Sequence, residues 1–159
     1  MNTGIDVTLG GFFEAASIYR RRNETSDVAT PWQLIPFPNS PNYHLSEFRG
    51  SARQSRLTLL AQGKVDENTK LAAYFETDFL SAAPTANSIE SNSFNPRLRQ
   101  GYITLDRSDL GLHFLGGQSW TLLTLNNHGI TPRQEDVPPT IDAQFVPGFR
   151  WTRNWQLRA

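Results

Sequence analysis

The sequence predicts an all-β protein whose strands form an antiparallel up-and-down transmembrane β-barrel, of which about six strands are present. Three observations favour this fold class. Apolar and polar side chains alternate along residues 55–80, which gives each strand two chemically different faces. The best strand candidates reach the ~10 residues of a membrane β-strand. Long and short connections alternate along the chain, as in barrels whose tight turns all lie at one end.

The first predicted strand covers residues 5–20. Most of its odd positions are apolar, whereas its even positions include Asp6, Glu14 and Arg20. A helical period would leave no continuous apolar stripe in this segment, so a strand is favoured. Residues 21–50 contain four prolines and show no periodicity, which predicts a loop.

Residues 55–65 and 69–80 are predicted to form a hairpin joined by the three residues 66–68. Directly opposed residues share a face of a hairpin, so odd positions must oppose odd positions, and a three-residue loop meets this condition. Asn68 suits a left-handed conformation at the third loop position. The resulting register places two pairs opposite each other, Arg56 with Asp78 and Lys64 with Lys70.

The remaining strand candidates alternate less clearly. Residues 97–106 and 111–120 are rich in β-formers and are joined by the short turn RSDL, and a sixth strand begins near residue 151. Residues 81–96 and 121–150 are predicted loops, because they contain prolines and no periodicity. The five connections thus contain about thirty, three, sixteen, four and thirty residues.

Composition narrows the functional classes. The 159 residues suffice for one domain, and fifteen basic and fifteen acidic residues cancel, so charge gives no argument for nucleic-acid binding. Cysteine is absent, which excludes disulfides and thiolate metal sites. Only two of the basic residues are lysines, and arginine pairs well with carboxylates and phosphates, although genome composition produces the same bias.

Targeting signals are not recognisable in the sequence. No segment approaches the roughly 20 apolar residues of a membrane helix, which excludes helical spans but not membrane strands. The amino-terminal MNTGIDVTLGGFF lacks the basic start and apolar run of a signal peptide. We therefore expect either a protein that stays inside the cell or a trimmed or incomplete form of a longer protein.

Five segments, in this order, carry a resemblance to a known family: TLGGFFEAASIYR, EFRGSARQSRLTLLAQGKV, TKLAAYFETDFL, PRLRQGYITLD and LHFLGGQSW. Together they resemble the amino-terminal part of Gram-negative outer-membrane porins, most closely the trimeric, dicarboxylate-type (DcaP-like) group. The resemblance implies that residues 1–159 are the amino-terminal portion of a single barrel domain of about 16–18 strands. It also implies that residues 121–150 fold into the pore and constrict it.

The resemblance further implies where the protein lies and what it contacts. It implies a bacterial outer-membrane location, contact with membrane lipid and lipopolysaccharide, and a homotrimer when the protein is full length. Residues 20–22, RRR, lie at a strand end, where they would bind lipopolysaccharide phosphates or simply be solvated. Six strands leave two unpaired edges, so this segment alone is not expected to be a stable soluble monomer.

In a porin the polar face of each strand lines water, the apolar face meets lipid, and the charges at the constriction decide which solutes pass. The predicted pore-lining residues are Arg56, Lys64, Glu76, Asp78, Arg97 and Arg99. The predicted constriction-loop residues are Arg133, Glu135 and Asp136. An excess of arginine favours anions such as carboxylates, although the same charges would also pair across strands merely to complete a polar wall.

The predicted function is passive diffusion of small hydrophilic solutes, without catalysis, cofactor, metal or nucleic acid. The three histidines, at positions 44, 113 and 128, have no ligand spacing, and no catalytic motif is present. Two alternatives remain, a soluble β-barrel or β-sandwich that binds a ligand and an enzyme on a β scaffold. The porin interpretation alone expects an exposed apolar row, formed by Leu57, Leu59, Phe75 and Phe79.

Overall fold

The computed structural model describes residues 4–81, 95–123, 133 and 152–159. The chain divides into two compact units. The first, here called the sheet unit, comprises Met1–Phe13, Arg53–Thr121 and Thr152–Ala159, and the second, the hairpin unit, comprises Glu14–Ala52 and Leu122–Trp151. Within the described residues, no helix has the length and apolar character needed to cross a membrane.

The sheet unit contains a six-stranded antiparallel sheet in which each strand pairs with its neighbour in the order β1-β4-β5-β6-β7-β8. The strands are β1 (Ile5–Phe12), β4 (Arg56–Lys64), β5 (Thr69–Asp78), β6 (Arg97–Arg107), β7 (Leu112–Trp120) and β8 (Arg153–Arg158). The all-β class and the antiparallel pairing are therefore confirmed. The described strands do not close into a barrel, because β1 and β8 remain at the two ends of the sheet.

The hairpin unit contains a two-stranded sheet and two short 3-10 helices. Strands β2 (Ala16–Arg20) and β3 (Glu47–Ser51) pair antiparallel, and the helices cover Trp32–Leu34 and Pro41–His44. The prediction of one strand over residues 5–20 is wrong, because β1 and β2 belong to different sheets. The prediction that residues 21–50 form only loop is also wrong, because β3 begins at Glu47.

Gly11 shows why the first strand is interrupted. Its φ angle is +133°, a conformation that side chains rarely adopt, and a Cβ built on it would lie 2.1 Å from the carbonyl oxygen of Arg56. Only glycine permits this approach of β1 to β4. Pairing with β4 ends one residue later, at Phe12, and the chain then leaves for the hairpin unit.

We expect Gly11→Ala to destabilise the sheet by at least about 1–3 kcal/mol, because the unfavourable φ angle alone costs this much and the contact with Arg56 adds to it. The measurement is the urea midpoint in detergent micelles, followed by circular dichroism. Gly50→Ala is the matched control, since Gly50 also lies in a strand but a Cβ there would meet open space. Equal midpoints for the two variants would contradict this role of Gly11.

The predicted register of the β4–β5 hairpin is confirmed. Arg56 opposes Asp78 and Lys64 opposes Lys70. The predicted left-handed conformation of Asn68 is wrong, because the only described non-glycine residues with positive φ are Thr25 and Arg133.

The Asp66 carboxylate organises the β4–β5 turn instead. It accepts hydrogen bonds from the backbone N–H groups of Asn68 and Thr69, both at 2.8 Å, and from the Thr69 hydroxyl at 2.9 Å. The backbone N–H of Asn68 and the Thr69 hydroxyl lower the pKa of Asp66. An aspartate that bonds the backbone two residues on is an established way to close a turn without positive φ.

A β-bulge explains why the fourth predicted strand alternates poorly. The pairing of β5 with β6 shifts between Glu76 and Thr77, which oppose Gln100 and Leu98, so Arg99 is the additional residue. In β6 the odd residues lie on the polar face before the bulge, and the even residues lie on that face after it. Arg97 therefore contacts Asp78, Gln100 contacts Glu76 and Arg99 contacts both, all on one face of the sheet, which strict alternation would not allow.

The two faces of the sheet differ sharply in composition and exposure. One row crosses the sheet through opposed residues and contains Leu9, Leu59, Phe75, Gly101, Gln118 and Trp155. Its large side chains are exposed, from 38% at Leu59 to 81% at Leu9. Of the four residues predicted to form an exposed apolar row, Leu57, Leu59 and Phe75 are exposed, whereas Phe79 is half-buried.

Candidate functional site

The opposite face of the sheet carries a group of five charged side chains, here called the charged cluster: Arg56, Glu76, Asp78, Arg97 and Arg99. Three adjacent strands supply them. Arg56 opens β4, the two acids lie near the end of β5, and the other two arginines begin β6. Antiparallel pairing brings these strand ends together, so the cluster lies at the end of the sheet opposite the tight turns.

Asp78 lies at the centre of the charged cluster and is only 1% exposed. Arg97 binds it with two nitrogens, Nε to Oδ1 at 2.9 Å and Nη2 to Oδ2 at 2.6 Å. Arg99 donates a further hydrogen bond from Nη1 to Oδ2 at 2.8 Å, and the backbone N–H of Leu80 donates to Oδ1 at 3.1 Å. The paired, parallel bonds from Arg97 fix both side chains in one plane.

Glu76 links the remaining arginines. Its Oε1 accepts a hydrogen bond from Arg99 Nε at 2.5 Å and lies 3.7 Å from Arg56 Nε. Its Oε2 accepts from the Tyr74 hydroxyl at 2.9 Å and from the Gln100 amide at 3.4 Å. Arg99 thus bridges the two acids, and the five residues form one continuous network.

An aromatic ring and a fourth arginine border the charged cluster. The guanidinium carbon of Arg99 lies 5.9 Å from the centroid of the Trp120 ring, and that of Arg153 lies 5.0 Å from it. Both distances fall within the range of cation–π attraction. Arg153 Nη1 is buried without a hydrogen-bond partner among the described residues. Four arginines and two acids leave a local excess of two positive charges.

Neighbouring polar side chains hold the bulge in place. The Gln118 amide donates to the backbone carbonyls of Leu98 and Arg99, at 3.2 and 3.1 Å. The Ser119 hydroxyl, which is buried, donates to the side-chain oxygen of Gln100 at 3.3 Å. The two bonds from Gln118 satisfy backbone carbonyls that the bulge removes from strand pairing, and they thereby position Arg99.

Five of the six predicted pore-lining residues form the charged cluster, and Lys64 does not. Lys64 lies at the turn end of β4, eight residues from Arg56, or about 26 Å along the strand. Of the predicted constriction-loop residues, Arg133 is a turn residue with φ 67°, while Glu135 and Asp136 lie outside the described residues. The sequence did not predict Trp120 or Arg153 as site residues. They reach the cluster through the pairing of β7 with β8, which no local pattern reveals.

The arginine run at 20–22 divides into different roles. Arg20 is buried and forms ion pairs with Glu24 at 3.4 Å and Glu47 at 3.1 Å, so it is not a solvated strand end. Arg22 is exposed and packs on the Tyr43 ring, 3.8 Å from its centroid. His113 pairs with Asp106, and the described part of the chain holds no group of three potential metal ligands.

Comparison of this chain with protein-family models, curated proteins and solved structures finds no match.

Proposed function

We propose that this chain forms the amino-terminal part of the wall of an outer-membrane porin, a passive channel for small hydrophilic solutes. The observation that carries the proposal is the inverted burial of the sheet. Among the described residues the buried set is mainly polar or charged, including Glu76, Asp78 and Arg99, while large apolar side chains of the other face are exposed. A soluble sheet has the opposite distribution, because its apolar face packs against a core.

Strand length and turn placement support the same proposal. Strands β4 to β7 contain 9 to 11 residues, which matches the strands of membrane barrels. The turns after β4 and β6 are short and lie side by side, since the backbone N–H of Ser108 donates to the carbonyl of Asn68 at 2.9 Å. In this proposal β1 and β4–β8 cross the membrane, and further strands continue from the two ends of the sheet.

The charged cluster would then face the channel and influence which ions enter. Its excess of positive charge attracts anions, and the attraction is strong where protein rather than water surrounds the charges. Arg56 and Arg153 are the residues through which this selectivity acts, because the two acids are hydrogen-bonded to Arg97 and Arg99. The carried solute is thus expected to be anionic, such as a carboxylate.

The test measures lipid contact and ion selectivity in the same vesicles. The intact porin that contains this chain is reconstituted with brominated lipid, which quenches tryptophan at the acyl chains. Trp155, 77% exposed on the apolar face, should account for much of the quenching. Quenching should therefore fall in Trp155→Phe and remain unchanged in Trp32→Phe, the matched control from the hairpin unit. Chloride efflux should exceed potassium efflux. Arg56→Gln with Arg153→Gln should reduce the ratio several-fold, because neither substitution removes a hydrogen bond that Arg97 or Arg99 donates to Asp78.

Two results would overturn the proposal. If brominated lipid quenches the wild-type and Trp155→Phe proteins alike, the apolar face does not meet lipid. If the vesicles contain inserted protein but release neither ion, the sheet does not line a channel. Quenching at Trp155 without any change in ion ratio in the double arginine variant would retain the channel and reject the selectivity.

A further inference from the structure

The hairpin unit contains a pocket with a volume of about 550 Å³, and none of its lining residues belongs to the charged cluster. Its walls come from the end of β2, the following loop and the two 3-10 helices. The lining residues are Arg20, Arg21, Arg22, Glu24, Ile35 and Tyr43. A volume of this size fits a small organic molecule rather than a single inorganic ion. We call it the arginine pocket.

Arg20 is held rigidly at the base of the arginine pocket. Its Nη2 donates to the backbone carbonyls of Asp27, Val28 and Ala29 at 2.8 to 2.9 Å, and Nη1 donates to Glu47 at 3.1 Å. No rotation of the side chain is needed before a ligand binds, which lowers the entropic cost of binding.

Two buried polar atoms at the base have no hydrogen-bond partner among the described residues. They are Arg20 Nε and Glu24 Oε2, which lie 3.4 Å apart, and both side chains are less than 10% exposed. The two atoms have almost no accessible surface and pair with each other, so they close the base of the pocket. Burial raises the pKa of Glu24.

Arg22 is oriented on the wall of the pocket by Tyr43. Its guanidinium stacks on the ring, and its Nη2 donates to the Tyr43 hydroxyl at 2.6 Å. The ring is held in turn by the second 3-10 helix, whose first residues are capped by Ser40. Arg21 is exposed and Ile35 is 45% exposed, so charged and apolar surface are both open to a ligand.

We propose that the arginine pocket binds an organic phosphate monoester, whose phosphate contacts the exposed Arg21 and Arg22 and whose carbon portion packs against Ile35. Arg20 is paired with Glu24 and Glu47, so Arg21 and Arg22 supply the two positive charges that match a phosphate dianion. Planar guanidinium groups bind phosphate oxygens through paired hydrogen bonds. This site is independent of the channel proposed above.

The test is isothermal titration of the full chain in detergent micelles with phenyl phosphate, with inorganic phosphate as the comparison. Phenyl phosphate should bind, and inorganic phosphate should bind more weakly because it leaves Ile35 uncovered. Arg21→Gln with Arg22→Gln should weaken phenyl phosphate binding at least tenfold. Both residues are exposed, so the fold should be retained, which the circular dichroism spectrum checks. Arg107→Gln removes an exposed arginine from the sheet unit and should change nothing.

A second arm distinguishes a soluble phosphate from a lipid headgroup. Vesicles containing phosphatidic acid, a lipid phosphate monoester, are compared with vesicles of phosphatidylcholine alone. Binding of phosphatidic acid that is lost in the double arginine variant assigns the phosphate to a lipid, and binding of phenyl phosphate alone assigns it to a free metabolite. If neither probe binds, or if the double variant binds both as well as the wild type, the proposal is wrong.

Discussion

Asp78→Asn is expected to destabilise the sheet unit by about 3–5 kcal/mol, the usual effect of removing one partner from a buried ion pair. The buried carboxylate of Asp78 receives three hydrogen bonds from Arg97 and Arg99. An asparagine amide keeps the shape but loses the charge and one acceptor atom. Arg99, which is itself buried, is then left with Glu76 as its only acidic partner in the cluster.

The measurement for Asp78→Asn is the urea midpoint in detergent micelles. Asp109→Asn is the matched control, because Asp109 also binds an arginine through two nitrogens, those of Arg107, but does so in an exposed turn. Its midpoint should not change, since exposed ion pairs contribute little. Adding Arg97→Gln to Asp78→Asn should restore part of the lost stability, because it removes a charge that has no partner. Equal midpoints for Asp78→Asn and Asp109→Asn would show that water, not Asp78, solvates these arginines.

Glu47→Gln and Glu24→Gln are expected to affect the hairpin unit in opposite ways, although both residues contact Arg20. Burial opposes ionisation of Glu47, but the backbone N–H of Glu24 and the guanidinium groups of Arg49 and Arg20 outweigh it and lower the pKa of Glu47. Ionised Glu47 therefore stabilises the unit. For Glu24, burial outweighs the attraction of Arg20 and raises the pKa, so ionised Glu24 does not stabilise the unit.

The pH dependence follows from these two directions. The stability from Glu47 is present above its unfolded-state pKa, near 4.5, and is lost as the pH falls through its lower folded-state pKa. The pKa of Glu24 is raised, so the folded state binds the Glu24 proton more tightly than the unfolded state does. The stability of the hairpin unit therefore rises as the pH falls through this raised pKa. At pH 7, Glu47→Gln should cost about 1.5–3 kcal/mol, the contribution of a hydrogen bond to a charged group. Glu24→Gln should cost nothing or stabilise.

The readout for both glutamate variants is the Ile18 methyl resonance, which reports on β2 during urea titration at pH 7 and pH 4. The cost of Glu47→Gln should be smaller at pH 4, where part of the wild-type carboxylate is protonated. Each variant is the control for the other, because both replace a carboxylate by the isosteric amide next to Arg20. Equal destabilisation by the two substitutions would contradict the opposite pKa shifts of Glu24 and Glu47.

The β4–β5 hairpin could be predicted from the sequence because every contribution to it is local. A strand has a period of two, so the alternation in residues 55–80 allows only one register that keeps the apolar residues together. The opposed pairs Arg56–Asp78 and Lys64–Lys70 follow from that condition and from the loop length. The position of the charged cluster could be predicted in part for the same reason, since five of the six predicted pore-lining residues belong to it.

Other features depend on contacts between residues far apart in the chain. Gly11 is required near the end of β1 because the Arg56 carbonyl approaches it closely, and the sequence of residues 5–20 alone cannot show this approach. The bulge at Arg99 reverses the faces of β6 through its pairing with β5. Arg20 reads as a solvated strand end, and it is buried because Glu47, 27 residues away, pairs with it.

The sequence by itself thus determined the all-β class, the pairing of strands within the hairpins and the two chemically distinct faces, because side-chain alternation and turn length act over a few residues. Only the tertiary structure decided where strands break, where a bulge reverses a face and which arginines are buried. Those features depend on partners brought together from distant parts of the chain, and no local pattern specifies such partners.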